Sequence, residues 1–152
     1  MADIPWLDER EQRAWRGFLR MHAQVTSRLR RQMHRDTGLS YADYEVLVHL
    51  SEAPEGRLRS FQLGDALQWE KSRVSHQLRR MEARGLVARE ECPTDRRGAV
   101  VVITPAGREA IEAAAPLHVS EVRRTFLDGL RPDQVDALAD IAGSVLQHLD
   151  AR

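Results

Sequence analysis

A chain of 152 residues with 42% hydrophobic and 30% charged side chains has the length and make-up of one globular domain, which excludes a disordered or collagen-like polymer. No apolar run approaches the roughly 18 residues of a membrane-crossing helix, and the charged start "MADIPWLDEREQRAWRG" does not read as a secretory leader. A cytoplasmic location without a membrane partner is therefore expected.

Net charge is zero but unevenly spread. Lys71 to Gly98 holds eight basic residues (Lys71, Arg73, Arg79, Arg80, Arg84, Arg89, Arg96, Arg97) against four acids, a local +4. Glu109 to Arg152 holds four basic residues against eight acids, a local −4. One end would attract a polyanion and the other repel it.

In chain order, the segment from about Trp6 to Arg35 is predicted to be a long helix. Phe18, His22, Val25, Leu29 and Met33 recur at helical spacing, and Gly38 supplies the stop. Ser40 with Asp43 has the pattern of a capping box, opening a second helix whose apolar face is Tyr44, Leu47, Val48 and Leu50. Glu52 to Gly56 is a loop. Ser60 is the expected cap of a short third helix carrying Phe61, Leu63 and Leu67. Only about Gln68 to Glu70 separates it from a fourth helix, which starts near Lys71 and stops at Gly85. Two helices joined by so short a turn point to a helix-turn-helix.

Leu86 to Cys92 and Ala99 to Thr104 have strand composition and flank the turn-rich "PTDRRG", which predicts a β-hairpin with a basic tip. Thr104 then caps a fifth helix with Pro105 in its first position. Pro116 must kink or divide that helix, since it lacks an N–H and clashes one turn back. After "GLRPD", Val135, Leu138, Ala142, Val145 and Leu149 form a narrow apolar seam suited to a partner helix.

The chemistry concentrates in "KSRVSHQLRRMEARG". As a helix it places Val74, Leu78 and Met81 on one stripe, with Ser72, His76 and Arg79 opposite and Arg73, Ser75 and Arg80 beside them. Hydroxyls can contact base edges and phosphates, and arginine pairs bidentately with guanine in the major groove. An isolated arginine-rich helix is more simply a solvated face. Its place as second helix of a helix-turn-helix, with a basic hairpin directly after it, favours DNA. In the hairpin tip Asp95 can bond turn amides and brace an arginine, while Gly98 allows the chain to reverse. An arginine projecting from such a tip suits the negative potential of a narrow minor groove. Arg97 is taken as the groove-entering residue, with Arg96 the alternative.

The stretch "RVSHQLRRMEARGLVAREECPTDRRGAVVVITPAG" resembles the winged helix-turn-helix of the MarR family of bacterial transcriptional regulators. The likeness lies in the "RRMEARGLV" junction, the "DRRG" wing and the "TPAG" helix start, and the helix order extends it over nearly the whole chain. It implies a mainly α fold with a small β-hairpin wing, and N- and C-terminal dimerisation helices. Residues 1–36 would be the N-terminal dimerisation helix, 37–104 the winged DNA-binding domain, and 105–152 the C-terminal dimerisation helices. By the family pattern Ser72, Arg73, Ser75, His76, Arg79 and Arg80 fall on the recognition helix, and Arg96 and Arg97 on the wing, with Asp95 bracing it. A homodimer on a near-palindromic duplex is implied, acting as a repressor.

The resemblance also implies release by a small aromatic or anionic ligand, for which Trp15, Phe18, His22, Tyr41 and Tyr44 are candidates beside the plainer reading of core packing. Cys92 reads as an incidental strand cysteine, and the six histidines lack the clustering of a zinc site. No catalytic residue, metal or cofactor is expected, because no phosphate loop, nucleophile elbow or paired-carboxylate motif is present. The alternatives are an architectural DNA-binding protein without effector response and a protein-docking winged helix. The latter would place an apolar patch where this chain has Ser, His and Arg.

Overall fold

The computed structural model describes residues 4–90 and 99–152. Contacts divide the chain into two units, Met1–Leu29 with Val119–Arg152, and Arg30–His118. Among the described residues no helix is long and apolar enough to cross a membrane.

Helix α1 (Glu9–Thr37) begins later than its apolar spacing suggests. The reason is a capping box: Asp8 Oδ1 accepts the Glu11 amide at 2.8 Å and Glu11 Oε2 accepts the Asp8 amide at 2.9 Å. Trp6 therefore lies outside the helix, 87% exposed. At the other end the Gly38 amide donates to the His34 carbonyl, the expected stop.

In the Arg30–His118 unit, α2 (Tyr41–Glu52) opens with the predicted box, Ser40 Oγ accepting the Asp43 amide and Asp43 Oδ2 accepting the Ser40 amide. A single 3₁₀ turn at Pro54–Gly56 leads to β1 (Arg57–Arg59), a strand the sequence reading lacked. Three residues are too few for an alternation to register; the strand exists because its backbone pairs with β3 (Val100–Ile103), Arg57 opposite Val102 and Arg59 opposite Val100. On the other side of β3 lies β2 (Val87–Glu90), with Val87 opposite Ile103 and Glu90 opposite Val100. The expected hairpin is thus two strands of a three-stranded antiparallel sheet, ordered β1-β3-β2.

Helices α3 (Ser60–Leu67) and α4 (Lys71–Ala83) lie between β1 and β2 in the chain. Ser60 proves to be the first helical residue of α3 and not its cap. Arg59 holds the cap position, and its amide donates to Gln62 Oε1 at 2.9 Å, so a glutamine three residues after the cap closes the helix start in place of the expected serine. Helix α4 ends in a Schellman motif. Gly85 takes a left-handed φ of 75° and donates to the Glu82 carbonyl, while Leu86 reaches back to Met81. The core joins Met33 from α1, Leu47 and Leu50 from α2, Leu63 from α3, Leu78 and Met81 from α4, and Val87 and Val101 from the sheet, none more than 2% exposed.

Helix α5 (Pro105–Thr125) opens as predicted, with Thr104 Oγ1 accepting the Gly107 amide at 3.0 Å and donating to the Gly85 carbonyl at 2.6 Å. Gly107 is required there: a Cβ would come 2.1 Å from the Leu86 carbonyl oxygen. The helix is not divided at Pro116. That residue lies on the exposed face, as does Glu112 one turn back, so the carbonyl it leaves without a donor is open to water.

In the other unit, a 3₁₀ turn at Leu127–Gly129 precedes α6 (Pro132–Asp150). No residue of α6 is buried: Ile141 is 61%, Val145 53% and Leu149 58% exposed. Trp15, Phe18 and His22 stack in a row along α1, and Trp15 and Phe18 are half exposed.

Candidate nucleic-acid interface

The turn between α3 and α4 is Gln68 to Glu70. Gln68 adopts a left-handed conformation (φ 55°, ψ 42°), and the Trp69 amide donates to the Gly64 carbonyl at 2.9 Å. This fixes how α4 leaves α3. The heptad-like spacing then decides which side of α4 is buried: Val74, Leu78 and Met81 face the core, and so does Gln77.

Ser72, Arg73, His76, Arg79 and Arg80 are exposed, and Ser75 is half-buried. The first turn of α4 carries no acid, and its N-terminal amides and Lys71 present positive potential beside Glu70, the exposed residue at the cap position. The structure therefore gathers all six residues assigned to the recognition helix along one accessible helix, five of them exposed. The wing residues Asp95, Arg96 and Arg97, and Cys92 with them, lie outside the described residues. The strands β2 and β3 that lead to and from this segment are in place.

The basic excess is narrower than a count of residues suggests. Arg84 Nη1 bonds Asp43 Oδ2 at 2.6 Å, and Arg89 Nε bonds Glu82 Oε2 at 2.6 Å. Arg57 pairs with Glu90 across the sheet. The cations on the exposed part of α4 are Lys71, Arg73, Arg79 and Arg80. Sequence spacing missed the partner of Arg84 because Asp43 is 41 residues away.

Asp43 is the hinge point of a buried polar cluster. Gln77 Nε2 donates to its Oδ1 at 2.6 Å, and Ser40 and Arg84 share its Oδ2. Burial alone would raise the Asp43 carboxyl, but the Arg84 side chain and the Ser40 amide and hydroxyl outweigh it and hold it below its ordinary value.

Two further features surround α4. Arg73 places its guanidinium carbon 4.2 Å from the centroid of the Trp69 ring, a residue the sequence reading passed over as part of a turn. Beyond Arg73 a cleft of about 370 Å³ is lined by Arg30, His34, Ser40, Tyr41, Glu45 and Arg73 among others. Burial pushes the Glu45 carboxyl up, against the pull of Arg73 and Arg30. Tyr41 and Tyr44 form an aromatic group with His118, 5.6 and 4.6 Å between ring centres. Burial raises both phenols, with Glu45 adding to the effect on Tyr41 and Glu52 to that on Tyr44, and lowers the imidazole. Of the five ligand candidates, Tyr41 and Tyr44 come together here, and Trp15, Phe18 and His22 form their separate row on α1.

Comparison with known proteins gives a consistent picture. The MarR family model matches residues 37–98. AbsC, a MarR family transcriptional regulator from Streptomyces coelicolor, is 40% identical, with 98% of this chain and 100% of that one covered and a TM-score of 0.89. Sco3205, a MarR family regulator from the same organism whose crystal structure is a complex with DNA, is 37% identical over 96% of this chain and 92% of that one, also with a TM-score of 0.89. YkoM, an HTH-type transcriptional regulator of Bacillus subtilis, is 28% identical over 144 residues, 93% of this chain and 91% of its own.

Proposed function

Because the chain belongs to the MarR family of transcriptional regulators, we propose that it binds a near-palindromic duplex as a homodimer and represses the genes beside it. It acts by binding and not by catalysis. The observation that carries this reading is the exposed face of α4, where Ser72, Arg73, His76, Arg79 and Arg80 are free of the core and no acid stands in the first turn. Placed in a major groove, this face has donors and acceptors for bases and guanidiniums for phosphates. The DNA complex of the 37% identical Sco3205 supports the same use of the fold.

A homodimer is supported by the apolar surface left open on α6 and on the first half of α1. Its two recognition helices would read half-sites roughly 34 Å apart. Arg97 is assigned to the minor groove beside each half-site, with Asp95 as the wing-bracing residue. For the effector, an aromatic anion is assigned to the side of the molecule that carries Tyr41. That phenol borders the cleft that also holds Arg30 and Arg73, so a bound anion would sit beside a recognition-helix arginine.

The test is fluorescence anisotropy with duplex DNA from upstream of the protein's own gene, against a scrambled duplex, at two salt concentrations. Tight binding to the native duplex that falls steeply with salt and weakens in Arg97→Ala is expected. Equal, weak binding to both duplexes, followed by no enriched site in a genome-wide pull-down, would refute the reading.

A further inference from the structure

Trp69 is half-buried against the core, with its backbone fixed by the Gly64 bond that closes the turn. One helical turn on, Arg73 stands exposed in the first turn of α4 with its guanidinium carbon over the indole, 4.2 Å from the ring centroid. The first residues of a recognition helix are those that reach base edges. A guanidinium carries its donors in one rigid plane, as a fork of fixed geometry. An arginine anchored over a fixed ring by cation–π attraction has fewer rotamers open to it, which pre-positions the planar fork that bidentate recognition of guanine O6 and N7 requires. Without the ring the side chain regains its rotamers, and the carboxylate that shares its cleft, Glu45, attracts it toward α2.

We infer that Trp69 is a positioning residue: its ring holds Arg73 ready to read a guanine in each half-site and so sets the base preference of α4. This inference rests on the operator-binding reading above. It concerns a residue that touches no base itself.

The experiment selects duplexes from a randomised pool with the full-length protein, then measures anisotropy on the selected site and its single-base variants. Wild type is compared with Arg73→Ala, Arg73→Lys, Trp69→Leu and Trp69→Phe. Arg73→Ala is expected to lose one guanine preference per half-site, by about 5- to 150-fold. Arg73→Lys keeps the charge and loses the fork, so it should keep most affinity and lose the same preference. Trp69→Leu should reduce discrimination at that position alone by about two- to fivefold, and Trp69→Phe should retain most of it.

A wild-type protein that selects no sequence would refute operator binding itself. A sharp wild-type site whose guanine preference is unchanged in Trp69→Leu, or is weakened evenly at every position, would refute the positioning role. If Trp69→Leu does not fold, the Arg73→Lys arm still decides, because a retained guanine preference there removes the fork as the reading group.

Discussion

Arg84 Nη1 donates to Asp43 Oδ2 at 2.6 Å, tying the end of the recognition helix to the first turn of α2. The same carboxylate receives Gln77 from the middle of α4 and caps α2 through Ser40. One aspartate, 2% exposed, therefore sets the angle at which α4 stands on the core. Arg84 counts toward the basic excess in the sequence, and the fold uses it as a strut.

Asp43→Ala is expected to lower stability by about 2–4 kcal/mol, since it removes a helix cap and leaves the buried Gln77 amide unsatisfied. Urea unfolding measures this. The sign of the pH dependence follows from the lowered Asp43 carboxyl: its contribution is complete above the ordinary carboxylate range and is lost as pH falls through the lower folded value. Asp43→Asn should be less stable than wild type at neutral pH and should lose that part of the acid sensitivity. An unchanged acid limb in Asp43→Asn would contradict the assignment.

Gly107→Ala tests the junction between the sheet and α5. The added methyl meets the Leu86 carbonyl oxygen, a backbone atom that cannot rotate away. A loss of about 1–3 kcal/mol is expected, read from chemical denaturation. Gly129→Ala, where a Cβ would meet nothing within 4 Å, is the control expected to stay near wild type.

How much of this was legible in the sequence depended on the range of each interaction. The Ser40–Asp43 box, the Thr104–Pro105 start and the Gly85 stop involve neighbours, and each appears as expected. The exposed face of α4 followed from 100° per residue alone. Strand β1 and the Asp43–Arg84 pair did not, because both depend on chain segments more than 40 residues away. The Ser60 cap failed at short range for a different reason: a helix can be capped equally well by a glutamine reaching back, and composition does not say which. Trp69 was hidden by its place in a turn, although a tryptophan four residues before an exposed arginine is a pattern that a search for stacked pairs would find.

Val145→Asp on α6 is expected to weaken dimerisation at least about 100-fold. Val145 is 53% exposed in the single chain, and an isologous interface would meet the new charge twice. Sedimentation velocity over a concentration series should show dimer for the wild type and monomer for the variant at the same concentrations. Because α6 has no buried residue, thermal unfolding of the Arg30–His118 unit should be little changed. A variant that stays dimeric at wild-type concentrations would move the interface elsewhere.

Reading of the major groove by the exposed face of α4 is tested most directly by methylation interference on the selected operator. Methyl groups on guanine N7, which lies in the major groove, should block binding at two clusters about one helical turn apart, with the pattern at one guanine per cluster lost in Arg73→Ala. Interference confined to adenine N3 in the minor groove, or spread evenly along the duplex, would contradict it.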